Sequence, residues 1–284
     1  MIIDFEHHIM PEVLWRKWGG IPGQVILVRT PDGRIKYPLD DAHYNLDLHL
    51  EFMDAAGIDV AVLTQSGANN MEEAKIINDE FSKIDHKHPK RFVSFATVPA
   101  LEGKASLEEV ERSIRDLGLK GITIEAQVNG QNLDSRELWP FYEAVSKLNV
   151  PIFVHVTTAG QGFDAFDAPY DLSRTVVREI SLINATVRLV LGGVLEDFPD
   201  LKFVLAHFGG GISSIWERIE RYVNHLGDKF WYGMDKPPIS KPINEYFNKL
   251  YFNMAGREFG RNTVTCALTN ISPKRLVFGT DYPP

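Results

Sequence analysis

Four ionisable side chains fall within five positions near the start of the chain: Asp4, Glu6, His7 and His8, in the run MIIDFEHHIMPE. They continue directly from a short apolar strand, and burying any of them without a partner is costly. Similar residues recur later, with His155 in PIFVHV, His207 closing KFVLAH and Asp281 in RLVFGTDYPP. Imidazole nitrogen and carboxylate oxygen, at about 2.0–2.2 Å, are donors that Zn2+ accepts, and they also suit harder ions such as Mn2+. Side chains alternate along an extended chain, so Glu6 and His8 share one face and His7 takes the other. If Glu6 and His8 converge with other donors on one point, they form a metal clamp, and the dication offsets the cost of the buried carboxylates.

Such convergence requires elements that end together. Short β-branched runs read as strands at 1–5, 59–65, 91–99, 121–126, 151–156, 202–207, 250–255 and 275–281. Amphipathic stretches at 46–57, 71–84, 106–118, 135–148, 173–198, 213–226 and 257–270 read as helices between them. SLEE at 106–109 fits a capping box, and Gly57 and Gly118 stand where helices need a left-handed stop. Eight strands alternating with helices predict an α/β fold, a (β/α)8 TIM barrel, over an open doubly wound sheet, and no dinucleotide fingerprint follows any strand. Residues 1–284 read as one domain with an insertion at 20–44 near the barrel mouth. Within it, the PDG turn in GQVILVRTPDGRIKYPL (23–39) predicts a small hairpin after the first strand. The sequence stops at DYPP, directly after the eighth strand, so either the natural chain is longer or another segment or subunit covers that face.

The chain has 284 residues, is 44% apolar, and carries a formal charge of −8. That balance argues against a nucleic-acid groove or an anionic membrane surface, both of which need clustered Lys and Arg. A lone cysteine, Cys266, allows no disulfide within the chain. No signal peptide is evident and no apolar stretch nears the roughly 20 residues of a membrane helix, so the expected compartment is the cytoplasm.

Each candidate has a plainer explanation. His155 alone suits a core histidine with a satisfied hydrogen bond, Asp281 a turn residue or helix cap, and Glu6 an exposed strand-end charge. HKH at 86–88 reads as a surface loop, and His43, His49 and His225 as surface or helix-packing residues. The joint pattern outweighs these readings, because four different strands carry His or a carboxylate at the carboxyl end, where barrels of this kind do their chemistry.

The segments IIDFEHH, VPIFVHV, VLAHFGGG and RLVFGTDYPP, in this order and spacing, resemble the amidohydrolase superfamily. The likeness is strongest to its decarboxylase branch, with aminocarboxymuconate-semialdehyde, γ-resorcylate and hydroxybenzoate decarboxylases, and EFMDAAGID (51–59) and residues 118–156 share it. The resemblance implies metal ligands at Glu6, His8, His155 and Asp281, with His207 as an unligated catalytic residue. Glu6-x-His8 stands where many relatives have His-x-His. GITIEA offers no lysine for a carboxylated bridge, since Lys120 precedes the strand, so a mononuclear site is implied.

Such a centre would chelate a substrate carboxylate and an adjacent phenolic or enolic oxygen for decarboxylation, with Asp281 as proton donor and His207 polarising the substrate. The same residues would serve a hydrolase or hydratase of a small ester, lactone, amide or unsaturated acid, and a ligand-binding barrel without turnover is a third reading. Trp15, Trp18, Arg29 and Arg34 are candidates to roof the mouth and bind substrate, although the two tryptophans would equally pack the hairpin onto the barrel. The expected cofactor is one divalent metal, Zn2+ or else Mn2+, with no organic cofactor. The expected partners are a small carboxylic acid and further copies of the chain, as a homodimer or homotetramer.

Overall fold

The structure is a computed structural model that describes residues 1–29, 35–65, 68, 70–157, 170, 172–225, 236–256 and 259–283. The first strand, β1 (Ile3–His8), is followed by an antiparallel hairpin of β2 (Ile26–Arg29) and β3 (Ile35–Leu39). Next come β4 (Val60–Thr64), β5 (Phe92–Thr97), β6 (Gly121–Glu125), a two-residue pair β7 (Gln127–Val128) and β8 (Gln131–Asn132), then β9 (Ile152–His155), β10 (Phe203–Leu205), β11 (Tyr251–Asn253) and β12 (Leu276–Val277). Eight of these strands form one parallel sheet in the order β1-β4-β5-β6-β9-β10-β11-β12, which follows the chain.

The sheet closes on itself. Phe5 N–H donates to Phe278 O at 2.8 Å, Asp281 N–H to Glu6 O at 3.0 Å, and His8 N–H to Tyr282 O at 2.6 Å, which joins the segment after β12 to β1. The expected (β/α)8 barrel with a hairpin after its first strand is therefore the observed fold. Phe5 meets Phe95 and Phe153 edge-on at 5.5 and 5.9 Å. These rings come from strands that are not neighbours in the sheet, so their contact fills the barrel interior.

Helices fall between the strands as the periodicity predicts. Leu46–Ala56 is capped by the Asn45 side chain on Asp47 N–H at 3.0 Å and stops at Gly57, in the left-handed region at φ +69°. The capping box at 106–109 is a correction, because that helix runs Lys104–Arg115 and already begins beyond Gly103. Ser106 lies inside it and donates to Pro99 O at 2.5 Å, while Glu109 accepts from Asn78 and Arg112. The long stretch at 173–198 divides into a π-helical turn Ser173–Val177, a helix Arg178–Leu191 and a short helix Val194–Asp197. Among the described residues, no helix is long and apolar enough to cross a membrane.

Candidate metal centre

Glu6 is fully buried at the carboxyl end of β1. Its Oε2 accepts from Asn253 Nδ2 at 2.5 Å, whereas Oε1 is buried without a hydrogen-bond partner among the described residues. His8, two residues on, donates from Nδ1 to the Thr64 carbonyl at 2.8 Å. That bond fixes the tautomer and turns Nε2 towards Asp281 Oδ1 at 3.0 Å and Glu6 Oε1 at 3.5 Å, the orientation that a ligating imidazole needs. His155, ending β9, brings its Nε2 to 3.5 Å from Glu6 Oε1. One donor atom from each of Glu6, His8, His155 and Asp281 lies within 4.8 Å of the others.

The donor set fits a dication. Two nitrogens and two oxygens at ligand distance would stand about 3.4 Å apart in a tetrahedron, and the orphaned Glu6 Oε1 is the kind of atom that a cation satisfies. Burial and the neighbouring His8 push His155 well below the usual histidine range, towards the neutral imidazole that ligates metals. Burial opposes a charged His8, but the adjacent Asp281 and Glu6 carboxylates prevail and raise it to about 10. In the absence of a cation, a proton on His8 compensates the two carboxylates.

His207 stands beside this centre, 3.5 Å from Asp281 Oδ2 through Nε2, and 1% exposed. It opens a run of five residues in the left-handed region, His207 to Gly211. Glycine at 210 is needed twice over: φ is +70°, and a Cβ there would overlap the Glu179 carbonyl. This close approach brings the helix Arg178–Leu191 against the centre. Glu179 Oε1 then lies 3.1 Å from His207 Nδ1, and Arg178 Nη2 lies 3.2 Å from His207 Nε2 and 3.1 Å from Asp281 Oδ2. Burial disfavours a charged His207, yet Asp281 and Glu179 raise it to about 10. Despite its burial, Asp281 is held well below the usual carboxylate range by His207 and His8.

The matching family model, described as amidohydrolase, covers residues 3–284. The chain belongs to the amidohydrolase family. It is 27% identical to a 2-amino-3-carboxymuconate-6-semialdehyde decarboxylase of Dictyostelium discoideum over 89% of this chain and 70% of that one. It is 26% identical to a γ-resorcylate decarboxylase of Rhizobium sp. (strain MTP-10005) over 98% and 86%. Among solved structures, a 5-carboxyvanillate decarboxylase from Sphingomonas paucimobilis superposes with TM-score 0.82 at 21% identity, covering 99% of this chain and 88% of that one. A dihydroxybenzoic acid decarboxylase from Polaromonas sp. JS666, with bound manganese and the inhibitor 2-nitroresorcinol, gives 0.72 at 21% identity, covering 99% and 86%.

The structure of this amidohydrolase brings together Glu6, His8, His155, His207 and Asp281, all five strand-end candidates. It does not add the tryptophans as a free wall. Trp15 is fully buried in a separate cluster with Met10 and Leu39, its indole donating to Asp40 O at 2.9 Å and tilted over Tyr44. Trp18 packs against the same cluster, near Tyr37. Both belong to the packing that seats the hairpin, the alternative role weighed for them. Arg29 lies exposed on β2, and Arg34 lies outside the described residues.

Sequence reasoning missed Arg178, Glu179 and Asn253, none of which is a His or carboxylate at a strand terminus. The available signal for the first two is an Arg-Glu pair between Val177 and Ile180 in the helical stretch. Of the two roles weighed for His49, surface or helix packing, the structure shows the second, buried on the helix Leu46–Ala56. His49 Nε2–H donates to Ala42 O at 2.6 Å, so its Nδ1 accepts from His7 Nε2 at 2.8 Å, and His7 Nδ1 meets Asp4 Oδ2 at 2.8 Å.

Proposed function

We propose that this amidohydrolase is a metal-dependent, non-oxidative decarboxylase of a small aromatic or unsaturated carboxylic acid of hydroxybenzoate type. The observation that carries the proposal is the clustering of Glu6, His8, His155 and Asp281 with His207 at 3.5 Å from Asp281. Those four residues would hold one dication, Zn2+ or Mn2+, whose positive charge stabilises a phenolic or enolic oxygen and the adjacent carboxylate of the substrate. The chain's own contribution is the proton. His207, between Asp281 and Glu179, would store it, and Asp281 Oδ2, 3.5 Å from His207 Nε2, would pass it to the substrate carbon. As the carbon–carbon bond breaks, CO2 leaves, and the electron pair left on carbon takes that proton. The acidic composition and single cysteine suit a cytoplasmic setting for this chemistry.

The test incubates Zn- and Mn-loaded protein with a panel of hydroxybenzoates and with ester and lactone analogues, following CO2 release and ring absorbance together. Stoichiometric CO2 from a hydroxybenzoate is expected, and Asp281→Asn should abolish it. Hydrolysis or hydration without CO2 would replace this reading with a metal-bound-water chemistry using the same residues.

A further inference from the structure

Three buried polar atoms of the candidate site have no hydrogen-bond partner among the described residues: Glu6 Oε1, Glu179 Oε2 and Arg178 Nε. A cation answers the first. The third is a donor on a permanently charged group, and only an acceptor can answer it.

A guanidinium presents Nε–H and one Nη2–H side by side, an edge matched to two oxygens of an oxyanion. The chain uses this edge in full elsewhere, where Arg112 Nε and Nη2 donate to the two oxygens of Glu109 at 2.8 and 2.9 Å. Arg178 uses only half. Its Nη2 reaches Asp281 Oδ2 at 3.1 Å and stands 3.2 Å from His207 Nε2, while Nε has no partner among the described residues. Were Arg178 there only to hold Asp281, both carboxylate oxygens would be open to it; instead Asp281 Oδ1 is turned to His8 at 3.0 Å. The Arg178 side chain is 20% exposed, although its Nε is buried. It also touches both members of the proton-carrying pair.

We propose that Arg178 is a substrate-binding residue that sets specificity for an anionic oxygen, which completes the half-used Nε/Nη2 edge beside His207 and Asp281. The inference rests on the carboxylic-acid reading above. Two groups on a hydroxybenzoate offer that chemistry, the carboxylate and an ionised phenol, and the probes below separate them. Arg178 and Glu179 follow a π-helical turn, and the close packing on Gly210 holds this stretch of helix beside His207.

The experiment measures binding of 2,6-dihydroxybenzoate, of the uncharged 2,6-dihydroxybenzamide and of resorcinol to metal-loaded wild type, Arg178→Met and Arg178→Lys by calorimetry. Metal content and melting temperature are recorded for each protein. Arg178→Met is expected to weaken the benzoate by about tenfold to a hundredfold and the benzamide by less than about twofold, at unchanged metal content. Arg178→Lys, which keeps the charge without the fork, should recover part of the loss. A loss confined to the benzoate identifies the carboxylate as the bound group, and a loss shared with resorcinol at alkaline pH identifies the phenolate. Equal effects on charged and neutral probes, loss of metal in both variants, or no binding of the acid by wild type would each overturn the proposal. Because binding is read without turnover, a protein that holds the acid through Arg178 yet releases no CO2 removes only the decarboxylase reading. A decarboxylase whose Arg178→Met variant binds the acid as before removes only this one.

Discussion

Asp4 Oδ2 lies 2.8 Å from His7 Nδ1, although they are three positions apart along β1 and strict alternation would point them to opposite faces. The pairing of β1 with β4 explains it. Asp4 is opposite Ala61 and His7 opposite Leu63, so three steps on β1 match two on β4, a bulge that rotates the chain between them. The bulge puts Asp4 and His7 together away from the metal centre while Glu6 and His8 still meet within it. Asp4 also accepts from Thr280 N–H at 2.8 Å and Thr280 Oγ1 at 2.6 Å, fixing the residue just before Asp281.

Asp4→Ala should therefore cost about 3–5 kcal/mol of stability, the usual effect of leaving one partner of a buried pair alone. It should also weaken metal uptake, because Asp281 loses the anchor beside it. Urea unfolding and metal titration of the variant check both, and unchanged metal affinity would mean that the β1 hydrogen bonds alone hold Asp281.

Metal affinity should climb with pH. Burial notwithstanding, Asp281 and Glu6 raise His8 to about 10, so near neutrality a cation must displace a proton from it. His155 is already neutral and contributes none. The apparent association constant is expected to rise about tenfold per pH unit below 10, with about one proton released. Calorimetry in two buffers of different ionisation enthalpy counts that proton, and a count of zero would remove His8 from the ligand set.

Much of this centre was legible because it depends on short-range rules. Alternation put Glu6 and His8 on one face, and apolar strand runs located His155, His207 and Asp281 at the ends of other strands, which a barrel gathers by construction. The partners that orient them were not legible, since they depend on packing across the fold. Asn253 reaches Glu6 from β11, and Glu179 reaches His207 only because Gly210 lets two backbones touch. The β1 bulge is a tertiary compromise, and it turned His7 and His49 from isolated histidines into a buried chain with Asp4. Ser106 failed as a cap for a simpler reason: the helix had already begun, and its hydroxyl bonds Pro99 O instead.

Stability should fall on acidification through His49. Burial and the adjacent His7 hold its imidazole down at about 3, against about 6.5 in an unfolded chain. Below pH 6.5 the unfolded state therefore binds the extra proton and the folded state does not. The contribution is fully present above 6.5 and is lost as pH drops towards 3, by up to about 1.4 kcal/mol per unit. Denaturation curves at pH 7, 6 and 5 for wild type and His49→Gln check this: the variant should be less stable at pH 7 but lose less on acidification. Parallel losses would place the acid sensitivity elsewhere.

Two neighbouring glycines separate backbone strain from close packing. Gly211 has φ +74° and no atom within 4 Å of the point a Cβ would occupy, so Gly211→Ala should cost only the left-handed penalty, about 1–2 kcal/mol. Gly210 has nearly the same φ, +70°, but its Cβ would run into the Glu179 carbonyl, so Gly210→Ala must also push the helix Arg178–Leu191 away. The second variant should be clearly less stable than the first. It should also lower kcat more than it raises KM, because Glu179 leaves His207 and the stored proton is held less well. Equal unfolding free energies and equal kcat for the two variants would show that the helix yields without cost, and that the 3.1 Å contact between Glu179 and His207 is not what keeps His207 charged.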